Sequence, residues 1–127
     1  MLSFSVELKP GLPLAEQVIF AVKKAVVTGQ LRAGDKFPSV RQISQELRIN
    51  PNTAHKIVAA LVTERVLVTT PAVGTIVAEA TSGRRDEKAE LLGPDLERLV
   101  VEAKKLGLSL DDVETGVTTH WRRLDHK

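Results

Sequence analysis

The chain has no cysteine among its 127 residues. A disulfide framework and thiol chemistry are therefore excluded, which fits a reducing compartment and makes a cytoplasmic protein the expectation. Aromatic residues are scarce, at 3%, so a core drawn from 43% apolar residues must be mainly aliphatic. No apolar run reaches 18 residues, and no membrane-spanning segment is expected. Nor does the N-terminus join a basic stretch to a long apolar one, so no secretory signal is expected. Catalytic constellations are missing too: there is no Gly-rich phosphate loop, nucleophile–base set or metal cluster. His55, His120 and His126 are far apart with no cysteine beside them, so neither metal nor cofactor is expected. Asp111-Asp112 reads as negative charge at a helix N-terminus, favoured by the macrodipole, rather than as a catalytic dyad. An enzyme is not expected.

What is present is a patterned stretch from Phe37 to Ile57. Ser39 followed by Gln42 three residues later is a capping box, in which each side chain satisfies one orphan backbone donor. Asn50 can cap a second helix, and Pro51 suits its first position because its missing N–H would have no partner there. Arg48-Ile49 leaves room only for a sharp turn. Two helices so joined read as a helix-turn-helix, with Asn52, Thr53, His55 and Lys56 near the end of the second helix that meets DNA. Charge agrees mildly. Residues 1–80 hold nine Lys/Arg against six Asp/Glu, a net of +3, while residues 81–127 hold nine against ten, a net of −1.

The rest of the chain completes a fold. Leu2–Leu8 alternates as a short strand or extended arm would. Pro13 opens a helix with Leu14, Val18, Val22, Ala25 and Val26 on one face, closed by Gly29, and Leu31–Asp35 reads as a turn. In the second helix of the pair, Ala54, Ile57, Val58, Leu61 and Val62 form the buried stripe, leaving His55 and Lys56 outside. Two β-branched runs, Val66–Thr70 and Thr75–Ala78, joined by Pro71-Ala72-Val73-Gly74, predict a β-hairpin. The expected fold class is α+β, mostly α: a winged helix-turn-helix over residues 1–80 and a two-helix dimerisation tail over 81–127. In the tail, Leu96, Leu99, Val100 and Ala103 recur at helical spacing, with Pro94 implying that the helix begins nearby or kinks. Ser109 and Asp112 start another helix whose stripe is Val113, Val117, Trp121 and Leu124. Two such helices cannot bury their faces alone, so they need the winged domain or a second copy, and a second copy is the expected cover. Trp121 either anchors that interface or packs within its own subunit.

Asn52 and Thr53 either read base edges, Asn pairing with adenine and the Thr methyl touching thymine, or cap their helix locally. Lys56 is expected on a phosphate, and His55 either touches DNA or stands idle. Ser39 caps its helix, and its hydroxyl or the adjacent amides can hold a phosphate.

In their order, Pro13-Leu14 with Gln17, Gly29-Gln30-Leu31 with Gly34-Asp35, Pro38-Ser39 with Arg41, then Leu47, Thr53, Leu61, Glu64, and Gly74-Thr75 with Val77 resemble the GntR family of bacterial transcription regulators. Asn50-Pro51-Asn52-Thr53 and the short tail are similar to its YtrA subgroup. The resemblance implies a homodimer on double-stranded DNA, an inverted-repeat operator with GT and AC steps, and repression, often of a transport operon. It also implies that Arg41 contacts DNA, gripping a phosphate or reading guanine. The plain alternative is a surface arginine paired with Glu46 or Asp35. This chain departs from the family pattern at Arg65, where glycine is usual, and at the uncharged wing tip Pro71-Ala72-Val73. The wing contacts implied are backbone groups near Gly74 and Thr75. A small-molecule effector has room only between two tails, where a pocket can form. The competing function class is a protein-interaction or architectural module without operator recognition.

Overall fold

Three helices in the first 63 residues each bury one stripe. Their apolar residues recur every three or four positions, the spacing that aligns side chains along one helical face. The computed structural model describes residues 2, 4–79 and 83–125; residues 1, 3, 80–82 and 126–127 lie outside the described residues. The elements run α1 (Leu14–Val27), α2 (Val40–Leu47), α3 (Pro51–Thr63), β1 (Leu67–Thr70) and β2 (Gly74–Val77). There follow α4 (Arg85–Glu90), a π-helical turn (Leu91–Asp95), α5 (Leu96–Lys105) and α6 (Leu110–Leu124). The described residues divide into two compact units, one up to residue 79 and one over residues 83–125.

In the first unit α1 buries Val18, Val22 and Ala25, α2 buries Ile43, and α3 buries Ala54, Ile57 and Leu61. Leu31, Phe37, Leu67 and Val77 complete a core that is mainly aliphatic. Lys23 of α1 is salt-bridged to Glu64, just past α3. The strands pair antiparallel, with Leu67 opposite Val77 and Thr70 opposite Gly74. The stretch expected as a turn before α2 also lies along β2: Gly34 N–H donates to Val77 O, Val77 N–H to Asp35 O, and Phe37 N–H to Thr75 O, each at 2.9 Å. This pairing covers the edge of β2 that the hairpin leaves open. Among the described residues, the alternating stretch at the N-terminus forms no strand. It is an arm, held where Phe4 stacks on Phe37 (centroids 5.6 Å apart) and where Lys9 N–H donates to Gln17 Oε1 at 2.7 Å.

Arg65 answers how α3 ends without glycine. Arg65 N–H donates to Val62 O at 3.0 Å and Val66 N–H to Leu61 O at 2.9 Å, the paired bonds of a Schellman end. That motif requires left-handed backbone at its first residue past the cap, and Arg65 adopts it with φ 63°.

In the second unit Pro94 lies inside the π-helical turn, directly ahead of α5. Having no N–H, it cannot bond back four residues, and its ring would crowd the carbonyl there. The helix widens around it instead, so that Leu96 N–H reaches the Leu91 carbonyl five residues back. A reciprocal capping box starts α6: Ser109 Oγ accepts Asp112 N–H at 3.0 Å, and Asp112 Oδ2 accepts Ser109 N–H at 2.9 Å. The Ser109 N–H, and then its hydroxyl, hold the Asp112 carboxyl below its ordinary value. Because the folded pKa is depressed, this contribution is complete above the ordinary carboxylate range and is lost as pH falls through the lowered value. No helix among the described residues is long and apolar enough to cross a membrane.

Two stability outcomes follow. Leu61→Ala removes a fully buried side chain and is expected to cost about 2–5 kcal/mol in urea unfolding. Arg65→Gly relieves the left-handed backbone and is expected to raise stability by about 0.5–1 kcal/mol, visible as a higher calorimetric midpoint.

Candidate nucleic-acid interface

Helix α3 owes its start to three adjacent residues. Asn50 Oδ1 accepts the Asn52 N–H at 2.7 Å, and Pro51 occupies the first helical position. With Ala54, Ile57 and Leu61 turned into the core, the other side of the helix must face out. Asn52, His55, Lys56 and Ala59 stand there, at the i, i+3, i+4 and i+7 spacing of a single face, and all four are exposed. Thr53, beside the buried stripe, is half-buried. Ala59 was not among the sequence candidates. Its place on this face follows from the same periodicity, and its small side chain lets the helix approach a surface closely.

Helix α2 brings a second set. Ser39 Oγ accepts the Gln42 N–H at 3.1 Å, the N-cap half of the expected box. Arg41 is exposed in the first turn. Among the described residues, Arg41 is in no ion pair with Glu46 or Asp35. Helix N-termini direct free N–H groups and partial positive charge outward, so the ends of α2 and α3 both suit phosphate.

The angle between α2 and α3 is set by a turn whose chemistry was not read from the sequence. Arg48 adopts left-handed backbone, φ 54° and ψ 50°. Ser44 then bonds Ile49 twice: its hydroxyl donates to the Ile49 carbonyl at 2.7 Å, and its carbonyl accepts the Ile49 N–H at 3.1 Å. Ile49 itself is buried. The signal was a serine five residues before an apolar turn residue, too common a pattern to single out.

The wing joins the same surface through the backbone. The Phe37 N–H bond to Thr75 O fixes β2 only two residues from Ser39. Thr75 is half-buried, and Gly74 is exposed with φ 94°, a conformation that side chains disfavour. Thr70 Oγ1 donates to the Gly74 carbonyl at 3.0 Å and accepts the Val73 N–H at 3.3 Å, closing the hairpin end. The uncharged tip is exposed, Val73 to 51%. Ser39, Arg41, Asn50, Asn52, Thr53, His55, Lys56, Gly74 and Thr75 thus belong to three elements of one unit linked by these bonds.

The residues assigned to the tail are placed differently. Leu96, Leu99, Val100, Val117 and Trp121 are exposed, Val113 and Leu124 half-buried, and Ala103 is buried at 6% within its own unit. No group of three or more metal-ligating side chains is assembled among the described residues. His126 lies outside them.

Comparison with known proteins bears on the family. Residues 14–77 match the family model of bacterial regulatory proteins, gntR family. The HTH-type transcriptional repressor YtrA of Bacillus subtilis (strain 168) is 30% identical over 104 residues, 81% of this chain and 80% of that protein. The HTH-type transcriptional regulator YhcF of the same organism is 30% identical over 108 residues, 85% of this chain and 86% of that protein. A transcriptional antiterminator from Listeria monocytogenes EGD-e, a solved structure, has a TM-score of 0.84 at 26% identity, covering 95% of this chain and 91% of that one. With a winged helix-turn-helix, an outward polar face on α3 and relatives that are regulators rather than enzymes, the chain belongs to the GntR family of DNA-binding transcription regulators and is YtrA-like within it.

Proposed function

We propose that the protein is a homodimeric, cytoplasmic repressor that recognises an inverted-repeat operator. Residues 1–80 are the DNA-binding domain and residues 81–127 the dimerisation tail. The carrying observation is the outward face of α3, where Asn52, His55 and Lys56 stand clear of the core beside the exposed Arg41 of α2. Each α3 enters a major groove, with Asn52 and Thr53 at base edges and Lys56 on phosphate. Arg41 pairs with guanine O6 and N7 through its two-pronged guanidinium, for which lysine is no substitute. Ser39 and the amides around it, and the backbone at Gly74 and Thr75, hold the flanking phosphates. A two-fold dimer puts the two helices on successive major grooves, so half-site centres are about one helical turn apart. Likeness to a Bacillus repressor supports repression. Control of a transport operon is the regulatory setting that goes with this reading.

Fluorescence anisotropy on the chain's own upstream DNA and on a scrambled duplex, across a salt series, tests it. Tight binding to the native duplex with two chains per site is expected, lost on scrambling. Arg41→Ala should weaken that binding by about 1–3 kcal/mol and relax discrimination at its guanine. Lys56→Ala should weaken both duplexes alike and lower the log K against log salt slope by about one. Equal binding to both duplexes with a steep slope would leave only phosphate attraction. No binding to either at low salt would favour the protein-interaction module, for which the uncharged wing tip is the supporting feature.

A further inference from the structure

Gly116 sits in the interior of α6 with nothing in its own unit to require it. Its φ is not in the left-handed region, and a Cβ built on it meets no atom within 4 Å. An interior glycine disfavours a helix about fivefold relative to alanine. The missing side chain therefore weakens α6 without serving the fold of the described residues.

Gly116 does line something. Together with Leu99, Val113, Val117, His120, Trp121 and Leu124 it borders a groove of about 390 Å³. A cavity of about 150 Å³ is enough for a benzene, so the groove has room for an indole. His120 is the polar residue of the lining, and its Nδ1 lies 3.2 Å from Arg123 Nη2. The indole at hand is Trp121, 71% exposed although it is the largest apolar side chain of the unit. Groove and protruding ring thus adjoin in one patch of the unit, six of the seven lining residues coming from α6 and Leu99 from α5. Such a patch is self-complementary under a two-fold axis, the requirement of an isologous contact.

The geometry points to a knob-in-groove lock between two copies of this chain, in which Trp121 of each protomer fills the other's groove and rests where Gly116 has no side chain. This rests on the homodimer reading above and names the contact that closes it. Area agrees with a second copy as occupant. Leu96, Leu99 and Val100 share one face of α5, Leu110, Val117 and Trp121 one face of α6, and all six are exposed. At on the order of 100 Å² apiece they offer about 600 Å², comparable to the apolar share of the roughly 800 Å² per partner of a standard interface.

Gly116→Ala separates the lock from a merely weak helix, because the two pull in opposite directions. Sedimentation equilibrium of the full chain should show a dimer whose dissociation constant rises about tenfold in Gly116→Ala, from overpacking against the partner's indole. Circular dichroism of the same variant at monomeric concentrations should show more helix, not less. Trp121 is the sole tryptophan, so its emission reports this site alone and should shift to the blue as wild-type dimer forms. In a Trp121→Leu background the added effect of Gly116→Ala should shrink, because the two positions are coupled. A wild-type dimer that Gly116→Ala leaves unchanged or tightens, or whose Trp121 emission stays that of a wet indole, overturns the lock and leaves the homodimer standing. A wild-type chain that is monomeric at every concentration removes the homodimer and the lock with it, and gives the groove to another occupant.

Discussion

Burial of one stripe of α3 is the constraint on which the first unit depends. Ala54, Ile57 and Leu61 are removed from water entirely, and the two larger, Ile57 and Leu61, each contribute on the order of 1.5–3 kcal/mol toward that arrangement. Once the stripe is inward, the rotation of the helix about its axis is settled. Asn52, His55 and Lys56 then have nowhere to point but out. The outward polar groups are thus held in place by an apolar contact on the opposite side of the same helix, so their register does not depend on the side chains themselves.

Backbone hydrogen bonds extend that rigidity to the rest of the surface. The Ser44–Ile49 pair sets the turn between α2 and α3, and the Phe37–Thr75 bond ties the wing to the start of α2. These bonds lie beside the groups proposed to meet DNA, and they fix separations that must match the spacing of phosphates and base edges. Left-handed backbone at Arg48 and Arg65 shows the same economy: two non-glycine residues sit at φ 54° and 63° because the turns around them require it. The local strain is offset by the core that the turns allow to close.

The second unit is built on a different balance. Ala103 is its buried apolar residue among those described, while Leu99, Val117 and Trp121 stay in water. Helices with so little core of their own are marginal when isolated. Their caps are correspondingly complete: the Ser109–Asp112 box satisfies orphan donors at the start of α6, and Gly107, with φ 78°, closes the preceding helix. Local capping defines where these helices begin and end. It does not supply the burial that would hold them together, and this is the gap that the proposed homodimer would fill.

The starts of α1, α2, α3 and α6, the presence of a turn between α2 and α3, the hairpin and the outward placing of Asn52, His55 and Lys56 on α3 were legible in the amino-acid order. Each depends on neighbours within about two helical turns, where Ser39, Asn50, Pro51 and the 54–57–61 spacing act directly. The family motif could likewise be read residue by residue, because it is a linear pattern. Other features depended on partners far away in the chain. The segment from Gly34 to Phe37 became a neighbour of β2 through bonds to Thr75 and Val77, about forty residues on. Phe4 found Phe37, and Pro94 was absorbed by widening a helix rather than by ending it. Among the described residues, Arg41 pairs with neither Asp35 nor Glu46. Local order determined which elements form and which way α3 faces, since capping and periodicity act over a few residues; tertiary structure decided which edges pair, since that outcome depends on distances that only the closed core defines.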